Sequence, residues 1–184
     1  MPTYIAFLRA VNVAGHGVVK MEALRDACAA VGCRNVRTYI QSGNVVFESP
    51  APEPTVVRKL KAELGRLLGK EPGICLRTLE EIAQLVEQDP FRAFQAEKSV
   101  KLYVAFLAEP ARARPRFPLL LPKEGLEAFA MNDREVFIVS RPNPAGSYGF
   151  PNALIERELK APATTRNWNT VAKIVKFAKS EPGD

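Results

Sequence analysis

The sequence predicts an α+β fold of two consecutive ferredoxin-like (α/β-plait) halves with antiparallel sheets, linked by a helix and closed by a C-terminal helix. Three observations carry that prediction. Short apolar runs rich in branched and aromatic residues alternate with stretches whose apolar positions recur at helical spacing. Turn residues divide two pairs of those runs into hairpins. The order of elements over residues 1–78 returns in part over residues 79–184, which sets the domain boundary at 78/79.

Residues 3–8, Thr-Tyr-Ile-Ala-Phe-Leu, are a continuous apolar run of the kind that forms a strand covered on both faces. From Met21 the apolar positions Met21, Leu24, Cys28 and Val31 lie on one side of a helix, and Gly32 stops it. Residues 36–41 and 45–47 are strand-like and flank Ser42-Gly43-Asn44, a hairpin turn in which glycine takes the positive φ. Pro54 opens a second helix with Val57, Leu60, Leu64, Leu67 and Leu68 on one face, ended by Gly69, and residues 74–77 follow as a fourth strand. The resulting βαββαβ order is that of the split-βαβ plait.

Thr78 and Glu81 have the spacing of a capping box, which starts the linking helix that ends before Asp89-Pro90. Residues 100–107 read as a strand, and residues 126–131 and 135–139 as a hairpin around Asn132-Asp133. Helices are expected over residues 152–159 and 169–179. Residues 109–122 hold four prolines and three arginines and are expected to be a loop with at most a helical turn near Leu119.

Composition places the chain among globular proteins, with 47% hydrophobic and 25% charged residues. The net charge of +6 is uneven: residues 91–184 carry 15 Lys plus Arg against 10 Asp plus Glu, so a polyanion is expected to meet the second half first. Cys28, Cys33 and Cys75 are odd in number and lack zinc-ligand spacing, so reduced thiols and no metal site are expected. No apolar stretch reaches the ~20 residues that span a bilayer, and Arg9 interrupts the N-terminal apolar run, so the expected location is cytoplasmic, without a membrane partner.

Catalytic constellations are sparse. His16 is the only histidine, in the loop Gly15-His16-Gly17, and no P-loop or dinucleotide fingerprint surrounds it, so no cofactor is expected. A plait makes a different cluster. Its first and second strands run parallel, so the exit of the first strand and the tip of the first hairpin share one sheet edge. That edge collects Arg9, Asn12 and Lys20 with Gln41, Ser42 and Asn44, polar groups beside glycine backbone able to hold an anion. A further candidate is Arg166 with Asn167, before the last helix: Asn167 or Asn169 serves as its N-cap, and Arg166 is an anion binder at its positive end.

Three blocks in one order, residues 8–13 (Leu-Arg-Ala-Val-Asn-Val), 38–47 (Thr-Tyr-Ile-Gln-Ser-Gly-Asn-Val-Val-Phe) and 164–171 (Thr-Thr-Arg-Asn-Trp-Asn-Thr-Val), resemble the signature blocks of the bacterial domain of unknown function 1697 family (DUF1697). The resemblance implies two α/β-plait subdomains and no particular reaction. Residues 146–154, Gly-Ser-Tyr-Gly-Phe-Pro-Asn-Ala-Leu, depart from the Gly-x-Gly-x-Ser-Lys-Leu pattern of many members.

Two functions are weighed on this reading, with a subunit-interaction module as a third possibility. The first is a non-catalytic module that binds a nucleotide or nucleic acid through the polar, basic edge. The second is an enzyme acting on a small phosphorylated or carboxylated metabolite at the cleft between subdomains, with Arg9 and Arg166 as anion binders.

Overall fold

The computed structural model describes residues 1–9, 19–40 and 43–180. Its elements run β1 (Thr3–Leu8), α1 (Met21–Ala30), β2 (Arg34–Tyr39), β3 (Asn44–Glu48), α2 (Glu53–Leu68), β4 (Ile74–Thr78), α3 (Leu79–Gln88), β5 (Lys101–Leu107), β6 (Leu119–Leu121), β7 (Leu126–Met131), β8 (Glu135–Ser140), α4 (Asn152–Leu159), β9 (Ala163–Asn167) and α5 (Trp168–Lys179). This is an α+β fold with a four-stranded sheet ordered β2-β3-β1-β4 and a five-stranded sheet ordered β6-β7-β8-β5-β9. Every neighbouring pair is antiparallel.

Two compact units result, and they do not divide at 78/79: one comprises Met1–Ala83 with Ile174–Asp184, the other Gln84–Lys173. In the first unit, strand alternation sends Tyr4, Ala6, Leu8, Val45, Phe47, Ile74 and Leu76 to the face packed by Leu24 and Cys28 of α1 and Leu60 and Leu64 of α2. The hairpin turns at Gly43, whose φ of 72° is open to glycine without steric strain. The capping box at α3 forms as the spacing requires, with Thr78 N–H donating to Glu81 Oε2 at 2.7 Å and Glu81 N–H to Thr78 Oγ1 at 3.1 Å.

The end of α5 belongs to this first unit for a clear reason. Helix C-termini leave carbonyls without partners, and Arg37 of β2 supplies donors: Nη2 to Ala178 O at 3.1 Å and Nη1 to Ser180 O at 3.1 Å. Its guanidinium lies 4.7 Å from the Phe177 ring centroid, and that ring packs 5.2 Å from Tyr39. A division drawn from element order alone could not anticipate this attachment.

In the second unit, Ala105, Leu107, Leu126, Ala128, Val136 and Ile138 face Leu154, Ile155 and Leu159 of α4. The opposite face is aromatic: Phe91 is fully buried, with ring centroids 5.1 Å from Trp168, 5.6 Å from Phe129 and 5.9 Å from Phe137. Two strands depart from the sequence reading. β6 forms in a segment read as a loop with at most a helical turn near Leu119, because Leu119–Leu121 pair with Leu126–Ala128, and a 3-10 turn follows at Pro122–Glu124. β9 forms in a segment read as a helix cap, its Thr164 and Thr165 paired with Phe106 and Ala105. Both are edge strands whose existence depends on a distant partner.

Candidate functional site

The expected edge is built by the pairing of β1 with its two neighbours. Phe7 lies opposite Asn44 and Cys75, Leu8 N–H donates to Gly43 O at 2.8 Å, and Arg9 N–H donates to Gly73 O at 2.8 Å. Arg9 therefore leaves the sheet between the hairpin turn and the start of β4, with its side chain exposed. Gly73 makes room for it: a Cβ there would stand 3.0 Å from Arg9 Cβ, tighter than ordinary packing.

Lys20 is the exposed N-cap residue of α1. The C-terminal end of α1 joins β2 at the opposite end of the sheet, where Arg34 pairs with Glu48. A ten-residue helix is roughly 15 Å long, close to the length of the strands below it, so Lys20 lies toward the Arg9 end. Glu22 follows in the first turn of the helix.

The other expected residues fare differently. Asn44 is fully buried, and its Nδ2 donates to Tyr39 O at 3.2 Å, so it closes the hairpin from within. Asn12, Gln41 and Ser42, with His16, lie outside the described residues. Arg166 and Asn167 belong to the second unit, on β9. Arg166 Nη1 donates to Thr164 Oγ1 at 2.9 Å and to Thr165 O at 3.0 Å, holding the half-buried side chain along its own strand. Asn167 accepts the Asn169 N–H on Oδ1 at 2.9 Å and is the N-cap of α5.

Three further features bear on chemistry. Arg77 is 1% exposed, the largest fully buried side chain, and its Nη1 donates to Leu76 O at 2.8 Å. It shares a sheet face with Ile5, its register partner, and alternation places both opposite the face that packs Ile74 and Leu76, so nothing in residues 74–78 signalled its burial. Arg141 bridges Glu97 at 2.9 Å and Glu127 at 2.7 Å. Its hydrogen bond lowers the Glu97 carboxyl below its usual range, and the two carboxylates hold the guanidinium firmly charged.

The three cysteines are all buried, and none is in a disulfide. Burial first, then Cys33, pushes the Cys28 thiol up to about 12; burial pushes Cys33 up to about 11 against an opposing effect of Lys59. Cys33 lines a cavity of about 240 Å³ with Ser49 and Lys59, yet a thiol so raised is a poor nucleophile at neutral pH. Among the described residues no group of three or more His, Cys, Asp or Glu could hold a metal ion. No described helix is long and apolar enough to cross a membrane.

Residues 146–154 are fastened to their own unit. Asn143 Oδ1 accepts the N–H groups of Ala145 and Ser147, both at 3.0 Å, Tyr148 Oη donates to Ser99 O at 2.9 Å, and Gly149 N–H to Glu124 O at 3.1 Å. Gly149 fits closely, since a Cβ there would come 2.6 Å from Glu124 O.

Fold and edge together define a two-unit α+β protein with antiparallel sheets and an exposed arginine at the end of its first central strand. The chain belongs to the family described as "Protein of unknown function (DUF1697)", whose model matches residues 1–137. The third of the blocks named above, residues 164–171, lies beyond the match. Its structure is similar to that of the conserved bacterial protein SP0830 from Streptococcus pneumoniae, at 23% identity and a TM-score of 0.68 over 98% of this chain and 99% of that one. At that identity the likeness concerns the fold alone. Comparison with curated proteins gives no match.

Proposed function

We propose that the chain is a non-catalytic binding module for a nucleotide or nucleic acid, which holds phosphate at the edge where β1 leaves the first sheet. The observation that carries this reading is the placement of exposed Arg9 by two backbone hydrogen bonds, Leu8 N–H to Gly43 O and Arg9 N–H to Gly73 O, both 2.8 Å. They fix the start of the side chain on rigid sheet, so a guanidinium there is presented with little loss of backbone freedom. Arginine suits the task because its planar fork gives a phosphate two parallel donors. Lys20 adds a second cation at the N-terminus of α1. The raised thiol pKa values of Cys28 and Cys33 count against covalent chemistry at those two residues.

A panel of mononucleotides, dinucleotides and sugar phosphates, read by thermal denaturation, tests the proposal. A true ligand at a hundredfold excess over its dissociation constant stabilises the protein by about 2.7 kcal/mol. Arg9→Ala should abolish that shift, and Gly73→Val, which displaces the Arg9 stem, should reduce it. A ligand that stabilises Arg9→Ala as well as the wild type removes this edge from consideration, and a silent panel removes the mononucleotide form of the reading.

A further inference from the structure

The segment joining β5 to β6 contains a cationic row with an unusual support. Over residues 111–121 burial alternates strictly: Ala111, Ala113, Pro115, Phe117, Leu119 and Leu121 are half-buried, and the residues between them are exposed. Ala111, Phe117, Leu119 and Leu121 pack on the helix-bearing face of the second sheet. Arg112, Arg114 and Arg116 are therefore all turned outward from one stretch that bends at Arg112 and Phe117 and has neither helix nor strand between them. The stretch is tied down by Arg112 N–H and Ala113 N–H, which both donate to Leu159 O, at 3.0 and 3.1 Å. Arg112 meets Glu109 at 3.1 Å, an exposed pair of little strength. Arg114 and Arg116 make no ion pair among the described residues.

We propose that this strap is a docking track for single-stranded nucleic acid, with Arg112, Arg114 and Arg116 taking successive phosphates and Phe150 offering a ring to a base. Alternate residues of an extended chain stand roughly 6–7 Å apart, the order of the phosphate repeat along one extended strand. A single row of this kind follows one backbone; a duplex is read across a groove by a helix or a two-stranded ribbon. Pro115 fixes its φ and shortens the range of conformations the strap would lose on binding. Guanidinium groups supply five donors each in a planar fork suited to phosphate.

The aromatic component belongs to the same unit. Phe150 is 58% exposed and packs edge-on against Tyr103, with ring centroids 5.7 Å apart. Tyr103 is packed against the cluster that also receives Phe117 of the strap. Cationic groups combined with exposed rings are the means by which single strands are held without regard to sequence. This track lies in the second unit and stands independently of the Arg9 edge, which the nucleotide panel tests.

The experiment is fluorescence anisotropy of a labelled oligothymidylate titrated with the full chain at several salt concentrations. Binding should weaken with salt, and Arg114→Gln with Arg116→Gln should lower the log–log slope by about 1.4, about 0.7 for each phosphate no longer neutralised. Both side chains are exposed, so the thermal midpoint should stay at the wild-type value; the Arg→Lys pair at the same positions should keep the slope. Phe150→Ala should weaken oligothymidylate binding by roughly five-fold or more while leaving the binding of inorganic polyphosphate unchanged. No binding at low salt, or a slope unaltered in the glutamine variant, overturns the proposal. So does a duplex that binds more tightly than the single strand. Polyphosphate that competes equally well, with Phe150→Ala silent toward both, would assign the track to phosphate repeats without bases and overturn the nucleic-acid reading.

Discussion

The two units carry the same strand arrangement and cover it by different means. In the first, β2-β3-β1-β4 is threaded by α1 and α2; in the second, β7-β8-β5-β9 repeats that order with α4 in the place of α2, and no helix corresponds to α1. Residues 109–122 and the extra edge strand β6 stand there instead. Four prolines explain the replacement, since each removes an N–H and disfavours helix at the residue before it. The face still needs covering, and period-2 alternation does it: Ala111, Phe117, Leu119 and Leu121 go inward where Leu24, Ala27 and Cys28 of α1 go inward in the first unit. A helix and an extended strap are thus interchangeable as lids on one sheet topology. They differ in what they show to solvent, and the strap shows Arg112, Arg114 and Arg116.

The largest expected effect probes the cores. Phe91→Ala in the second unit and Leu24→Ala in the first should lower unfolding free energy by about 3–5 and 2–5 kcal/mol. Phe117→Ala in the strap should cost less than Leu24→Ala, because Phe117 is only half-buried. Urea denaturation measures all three, and equal losses at Leu24 and Phe117 would make the strap as integral to its unit as α1.

Next come two glycines of positive φ, one in each unit. Gly69 and Gly125 have φ values of 71° and 68°; a Cβ at Gly69 would meet open space, whereas at Gly125 it would run into the carbonyl oxygen of Arg141. Gly69→Ala should destabilise by about 1 kcal/mol from backbone strain alone. Gly125→Ala should cost more, since the Arg141 carbonyl must also move. Melting temperatures in the reverse order would place the more constrained turn in the first unit.

A smaller effect separates the units by pH. The Cys28 and Cys33 thiols, both in the first unit, rise from 9.0 to about 12 and about 11. Between those limits the folded state holds protons that the unfolded state has released, so stability falls as pH rises from about 9 toward 12 and is unaffected by these groups below 9. Cys28→Ala should flatten that alkaline fall relative to the wild type; an identical pH profile would show that the thiol is not buried as described. Smallest of all, Asn167→Ala should lower stability by about 1 kcal/mol through loss of the α5 N-cap, with Asn167→Asp restoring most of it.

Local patterns made the first unit legible in the sequence. The apolar run 3–8, the Ser42-Gly43-Asn44 turn, the Thr78/Glu81 capping box and the helical spacing around Leu60 and Leu64 each specify an element through neighbours in the chain. Part of the candidate edge was legible for the same reason: parallel placement of the first two strands follows from element order, and it puts Arg9 beside Gly43. Asn44 was legible as a turn residue, but its burial was not, because burial is decided by the strands on either side.

What only the tertiary structure decided are the features that depend on partners far away in the chain. β6 and β9 lie at the two edges of their sheet, and their short, weakly patterned sequences become strands by pairing with Leu126–Ala128 and with Tyr103–Leu107. Arg37 reads as one more charged residue of an exposed strand until the end of α5, 141 and 143 residues away, brings it unpaired carbonyls. The outward turn of Arg112, Arg114 and Arg116 is of the same kind. Their spacing is written in the sequence, but which side of the strap meets solvent is set by the apolar face that Phe117 and Leu119 must cover.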